Sequence, residues 1–251
     1  TATIGDPTDK LAARKKLTRK EVLENAKLYK KQANAFLNFG LNNPAKIVYN
    51  SKWLKKLNFE EVLELLSNMT VDQILKRDMF QKRAEEGKPI YLHEFLYPLM
   101  QGYDSVALKT DGEIGGNDQT FNMLVGRDLM KAISDKEKFV MTTKMLDDPS
   151  GAKMSKTGGN IVRLDESSTE MFGKIMSWPD GRVASGFELL TDISKKEGHP
   201  KEMKLDLAEE VVKIYHGVSK ARKARENFEK TFSQKEIPEE MLEVKTEGLL
   251  I

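Results

Sequence analysis

Apolar spacing changes its period once along this chain, and that change constrains the fold more than any other feature. Up to about residue 165, short β-type runs alternate with helical stretches, an order that gives an α/β layer built on a parallel sheet. From Glu166 onward every apolar stretch is helical: Ser167 to Ser177, Gly181 to Thr191, Lys204 to His216 and Lys220 to Phe232. The expected organisation is therefore an α/β domain over residues 1–165 with a helical insertion, an all-helical domain over 166–235, and a linker over 236–251 that frays after Pro238. No internal repeat is present.

Local signals place the elements. Thr18-x-x-Glu21 and Asn58-x-x-Glu61 are capping boxes, in which the first side chain and the glutamate satisfy each other's orphan backbone N–H groups. Behind the first, Val22, Ala26, Tyr29, Ala33, Phe36 and Leu37 recur at helical spacing, which predicts one helix from Thr18 to the stop at Gly40. The second box opens a helix through Leu66. Further helices are predicted over 71–76, over 78–86 before Gly87 and Pro89, over 90–109 and over 119–133. Strands are expected from Lys46 to Asn50, at Glu113-Ile114-Gly115-Gly116 and from Phe139 to Thr143. Thr1 to Pro7 reads as the last turn of a strand entering a loop, and Lys10, Arg14, Lys15 and Lys16 mark that loop as cationic.

Composition narrows the class. With 39% hydrophobic and 32% charged residues over 251 positions, the chain buries a sizeable core beneath a heavily charged surface. Lys+Arg (41) against Asp+Glu (39) leaves +2, so contact with nucleic acid would rest on local patches, not on a global field. Cysteine is absent, which removes disulfides, thiolate metal sites and cysteine nucleophiles and suits a reducing cytoplasm. The histidines His93, His199 and His216 have no ligand spacing, so no protein-held metal is expected. No apolar run approaches the roughly 18 residues of a membrane span, and no signal-peptide pattern opens the chain.

Three groups of residues carry chemistry. Lys153-Met154-Ser155-Lys156-Thr157, followed by Gly158 and Gly159, sets two ammonium groups on a glycine-loosened loop, a suitable device for phosphate charge. A lone K-x-x-K would more often be a solvated basic loop. On the helix over 90–109, Tyr97, Gln101 and Asp104 fall within one arc, while Phe95, Leu96, Leu99, Met100, Tyr103, Val106 and Ala107 occupy nearly all the rest. A buried carboxylate in such a stripe makes a wall for a polar ligand or serves structural hydrogen bonds, and spacing alone leaves both open. Gly115-Gly116 with Asp118 behind it suits close backbone approach to a nucleotide at the carboxyl end of a sheet, a weak signal alone.

Together, Gly5-Asp6-Pro7, Tyr97-x-x-x-Gln101-x-x-Asp104, Gly115-Gly116-x-Asp118-Gln119 and Lys153-Met154-Ser155-Lys156-Thr157 resemble the tyrosyl-tRNA synthetases, class I aminoacyl-tRNA synthetases. The likeness runs in order from residue 1 to about 235. It implies a partial Rossmann-like parallel sheet followed by a helical tRNA-side domain. It also implies activation of tyrosine with ATP to tyrosyl-adenylate, then transfer to tRNA(Tyr). By the same resemblance Asp6, Tyr97 and Gln101 would hold the substrate α-ammonium, with Gln119 near its carboxylate or the α-phosphate. Asp104 would accept from the phenolic hydroxyl, and Gly116 and Asp118 would bind the adenylate ribose. Lys153, Lys156 and Thr157, with Lys10 and Arg14 on a second loop, would handle the pyrophosphate. Mg2+ would travel with ATP, no cofactor would be permanently bound, and a homodimer is implied, with the segment from about residue 46 to Leu92 as its interface.

The departures are specific. The chain has no His-x-Gly-His segment for the ATP phosphates, lacks the family's upstream tyrosine contact to the phenol, and stops where an S4-type RNA-binding module would begin. The expectation is a truncated or split form beginning inside the nucleotide-binding fold. Two alternatives stand beside the tyrosine enzyme. One is the tryptophan-specific relative, against which the Tyr97, Gln101 and Asp104 stripe argues. The other is a non-catalytic RNA-binding or scaffold derivative that uses Lys213, Lys220, Arg222, Lys223 and Arg225, although Glu226 and Glu229 interrupt that basic face. This polypeptide alone is expected to form little adenylate, and full pyrophosphate exchange without an added N-terminal segment would refute that.

Overall fold

The computed structural model describes residues 1–8, 16–40, 42–146, 161–194 and 198–233. The chain divides into two compact units, Thr1–Met145 and Leu146–Ile251. The boundary expected near residue 165 falls inside the second of them.

In the first unit the chain runs through α1 (Arg19–Ala26), α2 (Tyr29–Ala33), α3 (Ser51–Leu54), α4 (Phe59–Ser67), α5 (Val71–Leu75) and α6 (Asp78–Glu85) to the long α7 (Leu92–Leu108). There follow β1 (Gly112–Gly116), a 3-10 turn over Asn117–Gln119, α8 (Thr120–Ser134) and β2 (Phe139–Thr143). The two strands pair in parallel, Gly112 opposite Phe139 through Gly116 opposite Thr143. With α8 as the connection they form a βαβ unit, the local piece of an α/β sheet. This is the α/β class expected from the alternation of periods.

Helices α7 and α8 approach unusually closely because glycine faces glycine. A Cβ on Gly102 would lie 3.1 Å from the Gly126 backbone nitrogen, and one on Gly126 would lie 3.3 Å from the Gly102 Cα. The crossing is sealed by Leu99, Val125 and Leu129, with Leu65 of α4 completing the cluster. A second cluster, Ile74, Met79 and Phe80, fastens α5 and α6 against Phe95 of α7. In the second unit the described secondary structure is helical: α9 (Ser168–Met176), a 3-10 turn at Asp180–Arg182, α10 (Val183–Leu190), α11 (Pro200–His216) and α12 (Val218–Ser233). Its core joins Phe172, Phe187, Leu205, Leu207 and Val212.

Several expectations are corrected. Both predicted capping boxes form, at Thr18 with Glu21 and at Asn58 with Glu61. The single helix from Thr18 to Gly40, however, breaks after Ala26 into α1 and α2. Leu23, Tyr29, Phe36 and Leu37 keep 40%, 55%, 64% and 51% of their surface. Without a packed face, helical spacing does not sustain a long helix. Lys46 to Tyr49 belongs to no ladder among the described residues, and Asn50, at φ −64° and ψ −12°, already turns into α3. Thr1 to Gly5 forms a tight turn in place of a strand end: the Ile4 and Gly5 N–H groups both donate to the Thr1 carbonyl, and Gly5 takes φ 86°. Helix α11 starts at Pro200 instead of Lys204, because proline at the first turn needs no N–H partner.

One buried ion pair ties α6 to α7. Arg83 donates through Nη1 and Nη2 to Glu94 Oε2 and Oε1 at 2.6 and 2.9 Å, and also to the Pro89 carbonyl; its side chain is fully buried. Burial alone would push the Glu94 carboxyl up, but the hydrogen bonds from Arg83 and the Tyr91 N–H bring it below the ordinary 4.5. Arg83→Met is expected to lower stability by about 3–5 kcal/mol in urea unfolding, since it strands a buried carboxylate. Arg83→Met combined with Glu94→Leu should recover most of that loss. A depressed folded-state pKa contributes stability above the unfolded value, so the wild-type contribution of Glu94 should persist above pH 4.5 and fade as pH falls through its lowered titration.

Candidate active site

The polar groups of the first unit collect along α7 and at the carboxyl ends of the two strands, where open α/β sheets place their ligands. Asp104, on α7, is half-buried. Its Oδ1 accepts from Trp53 Nε1 at 2.7 Å and its Oδ2 from Asn50 Nδ2 at 3.1 Å. Asn50 Nδ2 also donates to Thr1 Oγ1 at 2.9 Å. Burial pushes the Asp104 carboxyl up, and the hydrogen bonds from Trp53 and Asn50 only partly offset it. The carboxylate lines a cavity of about 500 Å³ together with Asn50, Trp53, Tyr49 and Met100.

A second cluster forms at the end of β1. Gln119, on the 3-10 turn, donates through Nε2 to Asp6 Oδ2 at 2.9 Å, while Asp6 Oδ1 accepts from the Thr8 N–H at 2.9 Å. Gln119 Oε1 in turn accepts from Asn122 Nδ2 at 3.1 Å, so the amide is fixed at both ends. Thr8 is buried, and its hydroxyl accepts from Arg77 Nη2 at 2.8 Å. The Arg77 guanidinium lies 4.6 Å from the centre of the Phe121 ring, a cation–π contact. Residues 6, 77 and 119 thus meet although the chain separates them widely.

Gln101, one turn before Asp104 on α7, donates through Nε2 to Glu113 Oε1 of β1 at 3.4 Å. Tyr97 is half-buried one turn earlier on the same helix. Gly116 ends β1, where a Cβ would sit 2.7 Å from Asp118 Oδ1, so glycine admits the turn that brings Asp118 back toward the strand end. Of the expected site residues, Asp6 and Gln119 are joined directly, and Gln101 and Asp104 share a helix. Lys153, Lys156 and Thr157, with Lys10 and Arg14, lie outside the described residues, and so does any shared cavity between the lysine loop and α7.

Sequence reading missed Trp53, Asn50, Thr8, Arg77 and Glu113. The partners of Asp104 lie 51 and 54 residues upstream, beyond any local spacing signal. Glu113 did carry one: a carboxylate in the middle of Gly-Glu-Ile-Gly-Gly, a strand with no other charged residue.

Two residues of the basic face considered for RNA, Arg225 and Lys213, are paired from within. Arg225 donates to Asp206 Oδ1 and Glu209 Oε2, each at 2.8 Å, and Lys213 pairs with Glu210 at 2.6 Å. Hydrogen bonds to those carboxylates raise the Arg225 pKa further despite the opposing cost of burial.

Trp53→Phe removes the indole donor and leaves Asp104 Oδ1 short of a partner. The expected loss is about 1–3 kcal/mol in urea unfolding at neutral pH. Since only the ionised carboxylate needs the donor, and its folded-state pKa lies above the ordinary value, the loss should shrink as pH falls through that raised titration.

Comparison with known proteins follows the same outline. Residues 1–233 match the family described as tRNA synthetases class I (W and Y). Tyrosine–tRNA ligases of Carboxydothermus hydrogenoformans and Aquifex aeolicus are each 46% identical, over 100% and 96% of this chain but only 64% and 62% of their own length. The chain thus spans somewhat less than two thirds of the relatives it matches. Among solved structures, a C-terminally truncated mitochondrial tyrosyl-tRNA synthetase of Aspergillus nidulans matches with a TM-score of 0.68 at 20% identity, over 92% of this chain and 74% of that one. The Archaeoglobus fulgidus tyrosyl-tRNA synthetase complexed with L-tyrosine gives 0.62 at 21%, over 83% and 75%. At such identities these two matches establish the fold alone. The chain belongs to the tRNA synthetases of class I (W and Y).

Proposed function

We propose that this chain carries the tyrosine-activating centre of a tyrosine–tRNA ligase, which joins tyrosine to ATP as tyrosyl-adenylate and passes the tyrosyl group to tRNA(Tyr) in the cytoplasm. The observation that carries the reading is Asp104: a half-buried carboxylate, pinned by Trp53 and Asn50, on the wall of a cavity of about 500 Å³. An acceptor fixed in that way suits a phenolic hydroxyl, and a ligand without the hydroxyl would leave it desolvated and short of a donor. Relatives that are tyrosine–tRNA ligases, at 40–46% identity, support the same substrate.

In this reading Asp6, Tyr97 and Gln101 receive the α-ammonium, and Gln119, fixed between Asp6 and Asn122, lies by the carboxylate that attacks the α-phosphorus. Gly116 and Asp118 take the ribose. Lys153, Lys156 and Thr157, joined by Lys10 and Arg14, neutralise the departing pyrophosphate. Catalysis rests on orientation and placed charge, without a covalent enzyme intermediate. Among the described residues no three His, Asp or Glu side chains are placed to hold a metal, and Mg2+ is proposed to arrive on the ATP phosphates. Residues 1–165 would serve catalysis, 166–235 the tRNA side and 236–251 as linker. A homodimer is supported by Phe59, Val71 and Leu92, which keep 76%, 60% and 82% of their surface. No described helix is long and apolar enough to cross a membrane.

Calorimetric titration tests the reading. Tyrosine should bind and phenylalanine should bind at least about tenfold more weakly. Asp104→Ala should remove that preference by weakening tyrosine alone. Equal binding of both amino acids by the wild type would refute the assignment.

A further inference from the structure

The polar stripe of α7 continues behind Gln101 into a buried ionic cluster for which the proposed reaction has no assigned use. Lys138, at the approach to β2, has a fully buried side chain whose Nζ lies 2.5 Å from Glu113 Oε2 and 2.9 Å from Ser105 Oγ. Ser105 is itself buried and donates to the same Glu113 oxygen at 3.2 Å. Space for the ammonium exists because α8 carries glycine at this point: a Cβ on Gly126 would come within 2.6 Å of Lys138 Nζ. The crossing of α7 and α8 and the cation beneath it therefore depend on the same residue.

The other oxygen of Glu113 is left facing Gln101, whose Nε2 donates to it at 3.4 Å. A carboxylate only accepts hydrogen bonds, so it selects which end of a carboxamide turns toward it. With its NH2 committed to Glu113, Gln101 keeps its carbonyl oxygen for another donor. A pair of apolar side chains would fill the same volume without the desolvation cost of a buried ammonium and a half-buried carboxylate. What an apolar pair lacks is a fixed acceptor that orients the amide.

We propose that the Lys138–Glu113 pair is a positioning device that holds the Gln101 amide with its carbonyl oxygen presented to the substrate α-ammonium, and so sets the demand for an amino group. Lys138 and Glu113 are positioning residues that act through Gln101. The inference rests on the tyrosine-activating reading and adds to it the origin of the site's selectivity for the amino group. Lys138 fixes Glu113, Glu113 fixes the amide, and the amide oxygen meets the ammonium.

Two ligands that differ only in that group provide the test: L-tyrosine and 3-(4-hydroxyphenyl)propionate, which lacks the amine. Their dissociation constants are measured with the full-length protein, wild type and Glu113→Gln, where the substituted amide pairs with Gln101 in either sense. Tyrosine binding should weaken about tenfold, and binding of the des-amino acid should change by less than about twofold. If Glu113→Gln leaves Lys138 too poorly paired to fold, Lys138→Met combined with Glu113→Gln removes both charges and carries the same expectation. Parallel weakening of both ligands would show a merely structural pair and overturn the proposal, as would unchanged tyrosine binding. A folded wild type that binds no tyrosine would overturn the parent reading, and this inference with it.

Discussion

The close approach of α7 and α8 at Gly102 and Gly126 is the constraint from which the rest of the first unit follows. With backbones nearly in contact, α7 has no freedom to slide or rotate against the βαβ unit, and the stripe Tyr97, Gln101 and Asp104 is aimed by main-chain geometry instead of by adjustable side chains. Leu99, Val125 and Leu129 seal the crossing with dry contacts on one side, and the Lys138 cluster occupies the other. A methyl group at either glycine would act on packing and on the polar stripe together.

Electrostatically the candidate site is arranged around carboxylates with different partners. Asp6 is held by a backbone N–H and the Gln119 amide, Asp104 by an indole and a carboxamide, and Glu113 by a buried ammonium and a hydroxyl. Glu113 is joined to a full positive charge. The hydrogen bonds to Asp104 come from neutral side-chain donors, which orient the carboxylate.

Legibility in the sequence followed the range of the interaction. Helix starts fixed by side chains three residues apart, such as Thr18 with Glu21 and Asn58 with Glu61, could be read directly, as could β2 over Phe139–Thr143. The stretch from Thr18 to Gly40 and the segment from Lys46 to Asn50 were misread because periodicity records only what an element could bury. Whether a helix lasts or a strand pairs depends on how much surface the rest of the chain covers, and Leu23, Phe36 and Tyr49 keep 40%, 64% and 41% of theirs.

The candidate site divides along the same line. The order and spacing of Asp6, the α7 stripe, Gly116 with Asp118, and the lysine loop belong to the sequence, because chemically distinctive residues at fixed intervals survive in one dimension. The pinning of Asp104 by Trp53 and Asn50, the support of Asp6 by Arg77 through Thr8, and the seating of Lys138 against Gly126 were decided only by tertiary structure. Each joins residues that local propensity treats as unrelated, and a buried polar group takes its partner from whatever the packed core brings within hydrogen-bond reach.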